Sequence, residues 1–276
     1  MDVTRNQVNR SDFNDAAVLP FQLRLDDFAL AMQDVYDFFY DVNIRLVEKG
    51  LERLDDMLRP AIMSGLLSDM MTASLAKHSR TLTPNGFFNG HPDLIVRGVY
   101  PDNCVKAGSE GVEIKTTRKG GGAVDTHGAR NQWMCVFVYI VDNRTEPARE
   151  RAPMSFTEVY LASVSTDDFR KNARGELGTR TATLHRKGIE KLRQNWIYRL
   201  SKEFPPFLKA TSLGIARTAS SKYLGSFSIP ILSYPTASAA AKVDPEPANG
   251  SNTIPSPSGR IPLTNARKNA CGFRLG

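Results

Sequence analysis

Gly90-His91-Pro92-Asp93-Leu94-Ile95-Val96, a turn-rich connection, and then Gly111-Val112-Glu113-Ile114-Lys115-Thr116-Thr117 decide how this chain is read. Leu94, Ile95 and Val96 form a short β-prone run. Val112 and Ile114 alternate with Glu113 and Lys115 at the period of a strand with one apolar and one polar face. Between the runs, Tyr100-Pro101-Asp102-Asn103 is turn chemistry, because Pro presets φ while Asp and Asn bond nearby backbone. Residue 103 is midway between Asp93 and Glu113, so an antiparallel hairpin closing there brings the two carboxylates together. Side chains two apart on a strand share a face, and Lys115 therefore joins them. Asp102 also follows a proline, but its Tyr-Pro-Asp-Asn setting assigns it to the turn.

Two carboxylates can hold Mg²⁺, which takes oxygen ligands, keeps several waters and completes its shell with phosphate oxygens. A metal held this way activates water and stabilises charge on a phosphoryl group. Lys115 is placed to orient that water or take its proton. The pattern Pro92-Asp93 … Glu113-Ile114-Lys115 resembles the PD-(D/E)xK nuclease superfamily, which includes many restriction endonucleases. The glycine before it, the apolar run after Asp93, the hairpin spacing and the apolar Ile114 agree with that pattern.

The resemblance covers roughly residues 45 to 165. It implies an α/β fold with a restriction-endonuclease-like core, a central mixed β-sheet flanked by helices, preceded by a helical N-terminal region. It also implies Mg²⁺-dependent hydrolysis of DNA phosphodiesters, with Mn²⁺ able to substitute, leaving 5′-phosphate and 3′-hydroxyl ends. Asp93 and Glu113 are then the metal ligands, helped by the backbone carbonyl of Ile114, and Lys115 completes the catalytic set. A preceding helix commonly adds an acid in this superfamily; Glu48, Glu52 and Asp69 are the candidates, and Asp69 is nearest the hairpin. A polar residue, often Gln, stands on the helix before the next strand in related nucleases, which points to Gln132, with Arg130 on a phosphate. The implied partner is double-stranded DNA, bound by a homodimer if the cutting is sequence-specific. A type II restriction endonuclease is the first reading. The alternatives are a repair or recombination nuclease of the same superfamily and a non-catalytic DNA-binding protein.

Other residues are read directly. His91, beside the acids, either touches the scissile phosphate or sits on the rim. Arg118 and Lys119 open a glycine-rich loop that either follows a DNA backbone or is a solvated connection. No Gly-Lys-Ser/Thr closes that loop, so it is not a P-loop. The loop Asn85-Gly86-Phe87-Phe88-Asn89-Gly90 is a turn with its two phenylalanines expected to pack beneath it. The four histidines and three cysteines have no zinc-ligand spacing.

Around this centre the chain divides into a polar N-terminal arm (1–20), a nuclease domain with helical and basic flanks (21–205) and a Pro/Ser/Ala-rich basic tail expected to be disordered (206–276). Helical periodicity runs from Leu23 to about Arg59, with Gly50 and Pro60 as punctuation, and again from Ala61 to Lys77. Met134 to Val141 and Pro153 to Val164 read as strands, with a short helix from Gly128 to Trp133 before the first. Ile189, Leu192, Trp196 and Leu200 fit a helix stripe within a basic segment. The net charge is +7 and the pI about 9.4, which favours a polyanionic partner. Cys104, Cys135 and Cys271 are expected as free thiols. With no signal-like or membrane-spanning apolar run, the chain is expected to be intracellular and cytoplasmic, with no membrane partner.

Overall fold

The structure is a computed structural model and describes residues 3–201 except 121, 123, 127 and 172–181. Helix α1 (Leu25–Glu48) buries Phe28, Ala31, Met32, Val35, Tyr36 and Phe39 at three- and four-residue steps. At its start the Asp27 carboxylate accepts the Arg24 backbone N–H (2.9 Å). It ends before Gly50, which takes φ +73°. The helical pattern expected to reach Arg59 therefore breaks there and resumes only as one turn, α2 (Leu54–Met57). Pro60 then occupies the first turn of α3 (Pro60–His78), where its missing N–H costs nothing.

The central sheet is mixed, as expected. Its strands are β1 (Leu82–Pro84), β2 (Leu94–Val96), β3 (Gly111–Thr117), β5 (Gln132–Ile140), β6 (Ser155–Val164) and β9 (Trp196–Arg199), and they lie side by side in that order. Only β3 and β5 pair in parallel; the other neighbours are antiparallel. A second sheet of three short strands has the order β4 (Asp125–Thr126), β8 (Ala182–Leu184), β7 (Phe169–Lys171).

Strand parity divides the core into two. Leu94, Val112, Ile114, Cys135, Phe137, Tyr139, Phe156, Val159 and Leu161 pack with α1 and α3. Met134, Val136, Val138, Tyr160, Ala162 and Val164 pack with Val124, with Phe169, Ala182 and Leu184 of the small sheet, and with Leu192 of α4 (Arg186–Gln194). Strand β5 is buried on both faces, which is why it reads as a nearly unbroken apolar run.

Several expectations are corrected. No helix forms between Gly128 and Trp133; residues 128–131 are irregular and Gln132 already begins β5. The crossover from β3 to β5 instead carries β4, which pairs with β8. Trp196 does not extend the α4 stripe, because α4 ends at Gln194 and Trp196 opens a strand paired with β6. The N-terminal arm is irregular, as expected, but tied down: Asn14 N–H donates to the Ile197 carbonyl (2.9 Å) and Phe13 packs on Tyr198. Cys135 is a buried free thiol, pushed up by burial, whereas Cys104 is disulfide-bonded. The segment 206–276 lies outside the described residues. Among the described residues no helix is long and apolar enough to cross a membrane.

Candidate active site

The β2–β3 hairpin pairs Leu94 with Val112 and Ile95 with Gly111. Continuing that register one step sets Asp93 opposite Glu113. The Val96 N–H to Glu110 carbonyl bond (3.1 Å) makes the even β2 positions the hydrogen-bonded ones. Asp93 and Glu113 are therefore a non-hydrogen-bonded pair, the class in which facing side chains come closest. At the next position the ladder cannot continue. Pro92 has no N–H, and its carbonyl accepts from Asn85 Nδ2 (3.0 Å). The stranded Ile114 N–H goes instead to Asp93 Oδ2 (2.8 Å).

Glu113 and Lys115 point to the sheet face away from α1 and α3. Lys115 Nζ donates to Glu113 Oε1 (2.6 Å) and to the Ile114 carbonyl (3.2 Å), and lies 3.8 Å from Asp93 Oδ2. His91 Nδ1 lies 3.2 Å from Glu113 Oε2. Glu113 is almost wholly buried, with its side chain 1% exposed; those of Lys115 and Asp93 are 22% and 31% exposed. The cluster is thus a buried anchor with a solvent-facing mouth.

The two carboxylates titrate in opposite directions. Burial pushes Asp93 above the usual range and the Glu113 charge adds to this, outweighing Lys115 and the Ile114 N–H. Burial opposes ionisation of Glu113 as well, but His91 and Lys115 overcome it and hold the carboxyl at about 2. Glu113 is therefore the more firmly held anion of the pair, and Asp93 the one whose ionised form burial disfavours.

The device that holds this mouth was missed in the sequence. Asn85 spends its whole side chain on it: Nδ2 reaches the carbonyls of Pro92 (3.0 Å) and Val105 (2.8 Å), while Oδ1 accepts from Phe87 N (3.1 Å) and Val105 N (3.0 Å). The local signal was the Asn85-Gly86 pair, which marks a turn but not its long-range partners. Gly111 is a second requirement. A Cβ there would fall 2.0 Å from the Leu94 carbonyl and 2.7 Å from Pro92 Cγ. Gly111→Ala must displace the β2 backbone and is expected to cost about 2–3 kcal/mol in denaturant unfolding; wild-type stability would refute so tight an approach.

The other candidate residues scatter. Asp69 is exposed on α3, and at 100° per residue it faces away from the buried stripe of Met63, Leu67 and Met71. Glu48 and Glu52 are also exposed, and Glu48 pairs with Arg45 (2.8 Å). None of the three helix acids joins the pair: among the described residues no group of three or more His, Cys, Asp or Glu is arranged to hold a metal. Arg118 shares the parity of Thr116, whose hydroxyl donates to the α3 residue Ser64 (2.7 Å), so it leaves the sheet on the side opposite the cluster. Its guanidinium reaches the Val141 carbonyl (3.2 Å). Lys119 is exposed and Arg130 half-buried.

Gln132 sits on the same face as Glu113, buried, with neither amide atom hydrogen-bonded. It reaches that position from a strand rather than a helix. In the basic segment, Arg186 is paired with Glu190 (2.9 Å) and Lys191 with Asp168 (3.1 Å). Arg174 and Arg180 lie outside the described residues. Asp102 is in a turn, as expected, with φ +51°.

The chain matches no family model, no curated protein and no solved structure.

Proposed function

We propose that this chain is a divalent-metal-dependent endonuclease of the PD-(D/E)xK type acting on double-stranded DNA, with a type II restriction enzyme as its specific form. The observation that carries the reading is the gathering of Asp93, Glu113 and Lys115 at the end of one hairpin, with the Lys115 ammonium at the Ile114 carbonyl. The order of elements adds support. Helix α3, an antiparallel β1-β2-β3 meander and a parallel β5 follow one another in the order expected of a restriction-endonuclease-like core, apart from one helix. The helix expected before β5 is missing from that series among the described residues.

The donor set fits a hard cation. Asp93, Glu113 and the Ile114 carbonyl offer only oxygen, and the Lys115 ammonium already rests among them as a positive charge. These groups would hold Mg²⁺ or Mn²⁺, which supplies Lewis-acid stabilisation of the phosphate and acidifies a bound water. The remaining work belongs to the chain. Glu113, ionised and immobile, fixes the position of Lys115. Lys115 is the partly exposed cation that orients the attacking water toward the phosphorus, in line with the leaving 3′ oxygen. Asp93, at the solvent-facing side of the cluster, would offer its carboxylate to the cation, whose charge would offset the cost that burial places on its ionised form. His91 holds Glu113 from the other side and is a positioning residue. The net charge of +7 favours association with the phosphate backbone.

The test is cleavage of plasmid and phage DNA with Mg²⁺ and with EDTA, beside variants at Asp93 and Lys115. Discrete fragments support the restriction form and its homodimer. Trimming of ends, flaps or junctions would move the role to repair or recombination. Binding without cleavage would leave a non-catalytic DNA-binding protein.

A further inference from the structure

Phe88 is the most exposed large apolar side chain among the described residues, 83% accessible. It stands at the corner of a turn closed by Gly90 N–H donating to the Phe87 carbonyl (2.9 Å), with Asn89 at φ +56°. The expected packing of both phenylalanines beneath the loop is therefore wrong for Phe88, while Phe87 is half-buried.

The backbone of the turn that carries the ring is pinned on both sides. Asn85 Oδ1 accepts the Phe87 N–H (3.1 Å), and Gly86 N–H donates to the Asn103 carbonyl (2.9 Å). Gly90 is seated so closely that a Cβ there would lie 2.4 Å from the Val105 carbonyl. The same Asn85 side chain grips Pro92, next to Asp93. Phe88 is thus presented to solvent by the clamp that shapes the mouth of the acid–lysine cluster. Three peptide links separate it from His91, so the two Cα atoms lie within about 11 Å of each other.

We infer that Phe88 stacks on a nucleobase of the strand whose phosphate enters the Asp93–Glu113–Lys115 cluster. The inference rests on the nuclease reading and narrows its substrate to DNA in which a base within about three nucleotides of the cut can be lifted from its stack, at a spacing of about 3.4 Å per nucleotide along one strand. A protein partner would need a contiguous apolar patch, whereas Phe88 stands between exposed Gly86 and Asn89. A single projecting ring on a polar rim matches a stacking platform or wedge for one base.

The experiment uses the full chain without metal, fluorescein-labelled oligonucleotides carrying 2-aminopurine at successive positions, and both single strands and duplexes. Anisotropy reads binding and 2-aminopurine emission reads stacking for wild type, Phe88→Ala and Phe88→Trp. The expected result is about tenfold weaker binding by Phe88→Ala, with emission left at its free-DNA value, and recovery of both in Phe88→Trp. Equal binding and equal emission for wild type and Phe88→Ala would overturn the inference, as would no binding by the wild type. Mg²⁺ cleavage is followed in parallel. Cleavage with Phe88→Ala kinetics unchanged overturns the inference and leaves the nuclease reading in place. Phe88-dependent emission without any cleavage supports the base contact and removes the catalytic reading.

Discussion

Mg²⁺-dependent cleavage is expected to fall by at least about 100- to 1000-fold in Asp93→Ala and in Lys115→Met, and to vanish from the wild type in EDTA. The two losses have different origins. Asp93 is the solvent-facing acid of the pair, and its removal takes away one of three oxygen donors and the acceptor of the Ile114 N–H. Lys115→Met keeps most of the stem and deletes only the ammonium that links Glu113 Oε1 to the Ile114 carbonyl. Because the stem remains, retained secondary structure by circular dichroism separates a chemical defect from a folding one. DNA affinity at moderate salt is expected to change little in either variant, since one charge among many phosphate contacts is being altered. A folded Lys115→Met protein that cuts at the wild-type rate would sink the assignment of Lys115. Mg²⁺-independent cutting by the wild type would sink the metal reading altogether.

The pairing of Asp93 with Glu113 was legible because a hairpin is symmetric about its turn. The midpoint, residue 103, lies in the turn Pro101–Asn103, and the alternation of Val112, Glu113, Ile114 and Lys115 fixed the faces. Helices α1 and α3 and strands β5 and β6 were legible for the same reason: each buries enough residues to impress a period on the sequence. What was missed is short or long-range. Strands β4, β7 and β8 have two or three residues each, too few to carry a period, and they exist through pairing with one another. The helix expected at Gly128–Trp133 failed because Gln132 and Trp133 already keep the alternation of β5. Trp196 fits a helical stripe and a strand equally well until Tyr160 of β6 is seen opposite it. The Asn85 clamp joins segments up to twenty residues apart, and no local pattern encodes it. Exposure of Phe88 follows from that clamp and was illegible with it.

The opposite pulls on the two carboxylates give a stability result that activity alone cannot. The Glu113 carboxyl is held at about 2 against an ordinary 4.5, so the ionised form stabilises the fold. That contribution, on the order of 3 kcal/mol, is fully present above about pH 4.5 and is lost as pH falls toward 2. Glu113→Gln removes it at neutral pH and leaves the Lys115 ammonium and His91 facing a neutral amide, so it is expected to unfold at a lower temperature than wild type. For Asp93 the sign reverses. Its folded-state pKa is raised above 3.8, so its charge costs stability at neutral pH, and protonation relieves that cost as pH falls through the folded value. Asp93→Asn keeps an oxygen to accept the Ile114 N–H and drops the charge. It is expected to unfold at a higher temperature than wild type at pH 7, with the advantage gone below about pH 3.8, where the carboxyl is neutral in both folded and unfolded chains. Thermal unfolding of the three proteins from pH 7 to pH 3 reads both signs. A stable Glu113→Gln or a weakened Asp93→Asn at pH 7 would mean that the burial of Glu113 and its contacts with Lys115 and His91 do not govern this site. The combination expected here, an inactive Asp93→Asn that is more stable than wild type beside a Glu113→Gln that is less so, is the signature of an acid kept at energetic cost for what it binds.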